Sequence, residues 1–172
     1  MKTIWKFLKE NRKELVIGFI LALLAIIFLQ KFFIIGTIPS ESMDPTLQVS
    51  DKVYLKTNYT EVERGRIYSF KKDNTYLIKR CIGVAGDHIV IKGDDVYLND
   101  EKLNERYVSS KIKKDKIIDI DLVVPENKVF FLGDNREVSF DARLWDDKFV
   151  DVEDILGEAT KIVFPFSRIS DL

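Results

Sequence analysis

Histidine and cysteine are almost absent from this sequence, with one of each, Cys81 and His88. A lone cysteine excludes an intramolecular disulfide framework and a cysteine-rich metal site. A lone histidine leaves no second imidazole for a histidine-based site. His88 itself, in "GDHIV", stands at a strand start beside a turn and reads as surface structure. An excess of one charge is lacking too. The 27 Lys and Arg against 28 Asp and Glu leave −1, so overall charge makes no case for nucleic-acid binding. No internal repeat or low-complexity tract is present. The 172 residues suffice for one membrane segment and one compact domain with a modest core.

Charge is also missing locally, from Leu15 to Leu29, "LVIGFILALLAIIFL", and apolar character resumes after Lys31 with "FFIIGTI". A bilayer core needs about 20 mostly apolar helical residues, which residues 15–35 supply, with Lys31 near enough to one end to snorkel. Lys2, Lys6, Lys9, Arg12 and Lys13 against Glu10 and Glu14 give residues 1–14 a local +3. The positive-inside rule then places residues 1–14 in the cytoplasm and residues 36–172 outside, in a single-pass protein of the cell membrane. A cleaved secretory signal is the competing reading. The run is long for one, and no small-x-small site precedes "FLQKFFII".

Beyond Ile38 helix signals stop. "KVYLK" (52–56), "RIYSF" (66–70), "TYLIKRCIGV" (75–84), "HIVIK" (88–92), "DVYLN" (95–99), "KVFFLG" (128–133) and "EATKIVF" (158–164) read as strands. "KGDD" at 92–95 reads as a hairpin turn. The expected fold is an N-terminal transmembrane helix followed by a mainly antiparallel all-β domain. Residues 104–127, charged and Lys-rich, read as a mobile surface insertion.

Chemistry concentrates in three places. In "IPSESMDPTLQ" (38–48), Pro39 and Pro45 restrict a loop carrying Ser40 and Ser42. A serine hydroxyl needs a base to become a nucleophile, and with His88 set aside the other base known to work with serine is a neutral lysine. Lys79 is the candidate. Strand alternation sets Thr75, Leu77, Lys79 and Cys81 on one face and Tyr76, Ile78, Arg80 and Ile82 on the other. Taking a lysine from about 10.4 to about 8 requires roughly 3 kcal/mol against the ammonium, which burial can supply. Lys79 also reads as an edge-strand charge that discourages aggregation. The third place is "FLGDNREVSFDARLW" (131–145), where Asp141 and Arg143 suit a bracing pair and Ser139 suits orienting an amine. The same cluster reads equally as a turn with a solvated ion pair.

Taken in order, the apolar segment, "PSESMDPTL", "SDKVYLKT", "LIKRCIGVAGD" and "GDNREVSFDAR" resemble the bacterial type I signal peptidases, membrane-bound serine proteases that remove signal peptides from exported preproteins. The likeness covers almost the whole chain. It implies Ser42 as nucleophile and Lys79 as general base. It implies Ser40 with the Ser42 N–H as oxyanion hole, Ser139 positioning the lysine, and Asp141 and Arg143 bracing the site. By the same analogy Ile38, Pro39, Met43, Leu47, Leu77 and Ile78 line shallow apolar pockets for Ala-like side chains. A small β subdomain is implied over about 87–128. The implied partners are preprotein signal peptides, the lipid bilayer and the secretion translocon, with no metal or other cofactor. Ser42 lies a few residues past the membrane exit, at most ~3.5 Å each, the depth at which a signal peptide's cleavage site emerges. Val84 and Ala85 stand where the family often has Leu-Pro, Ala142 where Ser is frequent and Asp146 where Gly is frequent. These departures bear on the turn after the lysine strand and on the packing of the last loop. Two alternatives remain: a non-catalytic relative acting in surface-fibre (pilus) assembly, and a membrane-anchored binding domain with a coincidental serine loop.

Overall fold

The computed structural model describes residues 11–32, 34–108 and 118–172, and side chains within the first helix as far as Leu24. Most of the expected basic N-terminus and the middle of the Lys-rich stretch lie outside the described residues. Two compact units result, Met1–Ile34 and Ile35–Leu172.

Leucine and alanine favour helix, and α1 spans Arg12–Phe32. Its side chains are exposed from Arg12 to Leu24. Among the described residues no helix is long and apolar enough to cross a membrane. The helix expected over 15–35 is corrected at its end, because Ile34–Thr37 forms strand β1. Apolarity cannot separate helix from strand in a short run, and the isoleucines followed by Gly36 and Thr37 suit the extended chain.

The larger sheet joins β1, β2 (Lys52–Lys56), β11 (Ile155–Phe164), β3 (Ile67–Lys72), β4 (Thr75–Val84), β9 (Lys128–Leu132) and β10 (Val150–Asp151) in that order, with β12 (Ser170–Asp171) beside β11. A second sheet, inserted between β4 and β9, has β7 (Glu101–Lys102), β6 (Asp95–Leu98), β5 (His88–Lys92) and β8 (Ile120–Val123). From β2 to β12 the pairings are antiparallel. Two-residue hairpin loops need left-handed backbone, and Asp73, Asn74, Gly93, Asn99 and Asp100 supply it with φ of 47°, 62°, 61°, 51° and 69°. The insertion expected over 104–127 ends in β8. There Ile118, Ile120, Leu122 and Val124 alternate with polar or exposed neighbours, a period-two signal masked by the surrounding charge.

Two apolar clusters hold the second unit together. The larger runs from Tyr68, Phe70 and Phe131 under β3, β4 and β9 to Ile89, Ile91, Val96 and Ile120 of the small sheet, so both sheets share one core. Phe70 and Phe131 stack with centroids 4.4 Å apart. The smaller cluster gathers Ile38, Met43, Leu47, Val53, Leu55 and Ile78 beneath the serine loop. The turn after β4, where sequence reasoning saw a departure from the family, is closed by Asp87. Its carboxylate accepts from the Val84 N–H at 2.9 Å and from Arg64 Nε at 2.6 Å.

Phe131 has no exposed surface and packs against Tyr68 and Phe70 in the larger core cluster. Phe131→Ala should lower unfolding stability by about 3–5 kcal/mol, read by urea denaturation of the full chain in detergent.

Candidate active site

The serine loop is closed at its base and plugged into the core. Ile38 N–H donates to the Asp51 carbonyl and Ser50 N–H to the Ile38 carbonyl, both at 2.9 Å. Asp51, 1 % exposed, accepts from Arg168 Nη2 at 3.0 Å. Met43 and Leu47 have no exposed surface. Both belong to the smaller core cluster. They face into the core and hold the loop that carries Ser42.

Strand β4 delivers Lys79 to this loop. Lys79 Nζ lies 2.7 Å from Ser42 Oγ and 3.1 Å from the Ile78 carbonyl oxygen. The lysine is 4 % exposed and the serine 7 %. Burial pulls the Lys79 pKa down to about 8, while the charges of Asp141 and Asp134 push the other way. Both carboxylates are fully buried, and each is gripped by an arginine. Arg143 Nε and Nη2 meet Asp141 at 2.7 and 2.8 Å. Arg80 Nε and Nη2 meet Asp134 at 2.8 and 2.5 Å. Neutralised in this way, the carboxylates favour the lysine ammonium less than bare charges would. Cys81 is no rival nucleophile: it is fully buried, and desolvation pushes its thiol up to about 12.

Ser40 Oγ donates to Ser42 Oγ at 3.4 Å and is exposed beside it. The Ser139 hydroxyl is buried and makes no hydrogen bond among the described residues, Lys79 included. The oxygen packs instead over Gly133, where an added Cβ would stand 2.2 Å from it and 2.5 Å from the Ser42 carbonyl oxygen. Asp141 braces this loop by accepting from the Gly133 N–H at 3.0 Å, and Asn135 N–H donates to the Ser42 carbonyl at 3.1 Å. Ala142, another departure, is fully buried in the larger core cluster.

A cavity of about 330 Å³ opens beside the pair. Ile38, Pro39, Leu77 and Ile78 line it, joined by Val53, Leu55, Ser69, Tyr76 and Leu156. Leu156 went unnoticed because β11 begins at Ile155, three residues before the strand read from sequence. Sequence reasoning also missed Asp134 and Thr46, whose hydroxyl donates to Asp134 at 2.6 Å. It missed Tyr107, whose ring lies 4.0 Å from the Arg80 guanidinium, and Glu105, which pairs with Arg136. No local spacing signals contacts between residues so far apart in the chain. His88 is half-buried in the small sheet, 2.8 Å from Asp121, whose hydrogen bond raises its pKa. Among the described residues no group of three or more His, Cys, Asp or Glu side chains converges as a metal site.

Two outcomes follow for substitutions here. Gly133→Ala should cost at least about 1–3 kcal/mol, read by thermal unfolding, because one of the atoms it strikes is backbone. Lys79→Met should be more stable than wild type at pH 7 by about 1–3 kcal/mol, since an ammonium no longer has to be buried. The folded lysine loses its proton near 8 and the unfolded one near 10.5, so between those values the unfolded chain binds more protons and wild-type stability rises with pH. The variant's advantage should accordingly shrink from pH 8 to 10.5 in urea titrations.

The chain and its fold have known counterparts. Residues 12–164 match the family described as signal peptidase, peptidase S26. The chain is 35 % identical over 170 residues to a signal peptidase I of Bacillus licheniformis, covering 91 % of this chain and 89 % of that one. It is 31 % identical to signal peptidase I S of Bacillus subtilis strain 168, over 95 % of this chain and 93 % of that one. Signal peptidase IB of Staphylococcus aureus strain N315 is 31 % identical, over 94 % of both chains. A crystal structure of a signal peptidase I from Enterococcus faecalis V583 superposes with a TM-score of 0.52 at 27 % identity, over 60 % of this chain and all of that one. With the family matched over most of its length, and relatives above 30 % identity along nearly all of it, this chain belongs to the signal peptidase family, peptidase S26.

Proposed function

We propose that this protein is a membrane-bound serine endopeptidase that removes N-terminal signal peptides from exported preproteins, cutting after small residues. The observation that carries the reading is the 2.7 Å approach of a buried lysine amine to the Ser42 hydroxyl. Neutral Lys79 takes the Ser42 proton as Oγ attacks the scissile carbonyl carbon. The Ser40 hydroxyl and the Ser42 N–H donate to the oxyanion, a contribution typically of a few kcal/mol. The C–N bond then breaks, and Lys79 passes its proton to the departing amine. Lys79 next takes a proton from water, whose oxygen attacks the acyl-enzyme, and Ser42 Oγ regains a proton as the acid leaves. Ser139, Asp141 and Arg143 act by holding the loop packed against Ser42.

The signal peptide docks in extended form. Strand β4 pairs with β3 from Thr75 to Arg80, but with β9 only from Arg80 to Val84. The second edge of Thr75–Lys79 therefore lacks a strand partner among the described residues, and it borders the apolar cavity. An added strand would find main-chain hydrogen bonds there, and alternate small side chains would enter the cavity. Anchoring is ascribed to the apolar run that begins at Leu15 and forms α1, although the described residues alone are not long and apolar enough to cross a membrane. Its described apolar side chains are exposed, as a lipid-facing helix requires. The basic N-terminus is assigned to the cytoplasm and the β unit to the outer side. The accessory role in fibre assembly is not favoured, since the curated relatives are named signal peptidases.

Cleavage of a preprotein in detergent tests this. Ser42→Ala and Lys79→Ala should each lose cleavage by at least about a thousandfold with folding intact by circular dichroism. Wild-type kcat/KM should rise as pH passes through about 8, because the reactive lysine is the neutral one. Either variant cleaving like wild type would refute the reading.

A further inference from the structure

A second cavity, of about 360 Å³, borders the same Ser42–Lys79 pair with a different wall, made by Glu41, Val138 and Phe140. Val138 is 52 % exposed and Phe140 62 %, and between them Ser139 is buried. The alternation is held by the loop itself, whose Ser139 N–H donates to the Asn135 carbonyl at 3.0 Å. Two large apolar side chains are thus kept out of the core and turned to one cavity. Glu41 is exposed and has no ion-pair partner among the described residues. Its carboxylate gives the rim of the cavity a negative charge.

A peptide bond broken at Ser42 Oγ has an acyl side that stays and an amine side that departs. The first cavity, with its open strand edge, suits the acyl side. The departing chain must then leave across the remaining space beside the pair. We propose that the second cavity is the leaving-side subsite. It receives the side chain that follows the scissile bond, favours an apolar or aromatic one against Val138 and Phe140, and disfavours an acidic one beside Glu41. The inference rests on the reading of Ser42 and Lys79 as the reacting pair.

The test uses the full chain in detergent and peptides that differ only in the residue after the cleaved bond, Phe, Ala or Asp. Wild type should show kcat/KM roughly tenfold higher for Phe than for Ala, the low end for apolar pocket discrimination. Phe140→Ser should bring that ratio near one. Glu41→Gln should raise Asp relative to Ala by about threefold at low salt, as expected for an exposed charge. Unchanged ratios in both variants would overturn the proposal. So would a Phe140→Ser change confined to preference before the bond. A second arm needs no turnover: Ser42→Ala is titrated with released-fragment peptides beginning with Phe or Asp. The Phe peptide should bind more tightly, and lose that margin when Phe140→Ser is added. Equal binding throughout would overturn the subsite even if no peptide were ever cleaved, whereas selective binding without cleavage would count against the peptidase reading alone.

Discussion

Everything at this site depends on keeping one amine dry. A lysine ammonium is strongly hydrated, and removing its water costs free energy unless a counter-charge replaces it. Here two carboxylates, Asp134 and Asp141, lie close enough to act on Lys79 electrostatically, yet burial still dominates. Each carboxylate is matched in a two-pronged contact by its own arginine, so little uncompensated negative charge remains to hold a proton on the amine. The Ser42 hydroxyl and the Ile78 carbonyl, not a carboxylate, are in contact with the nitrogen.

The same contacts that neutralise these carboxylates join distant parts of the chain. Arg80 on the lysine strand, Thr46 on the serine loop and Asp134 on the last loop meet at one carboxylate. Gly133, lacking a side chain, lets the last loop lie against the Ser42 carbonyl. From the segment after β7, Tyr107 covers Arg80 and Glu105 pairs with Arg136. Electrostatic tuning and mechanical bracing are therefore one network: loosening a salt bridge would both shift the loop and expose a charge to the amine. The insertion shares its core with the main sheet, so it buttresses the site instead of decorating it.

Access to the pair is set by where strands end. Strand β9 stops pairing with β4 at Arg80, one residue short of Lys79, and leaves a length of backbone edge beside an apolar cavity. An edge of this kind is a liability in a sheet unless something is meant to bind there. The Val138–Phe140 wall borders the other cavity at the same serine and lysine.

Local sequence determined much of this protein. The apolar helix, the period-two strands, the Asn, Asp and Gly hairpin turns, and the three blocks bearing Ser42, Lys79 and Asp141–Arg143 were legible because each is written within a few neighbouring residues. Strand β8 was hidden by charged surroundings, and β1 by an apolar run that suits helix and strand alike. Only the tertiary structure decided that Met43 and Leu47 turn into the core, that the Ser139 hydroxyl lies over Gly133 without a partner among the described residues, and that Arg80 rather than solvent meets Asp134. It also decided how dry Lys79 is. Burial and pairing are properties of which segments pack together, and residues 54 positions apart carry no local mark that they will meet.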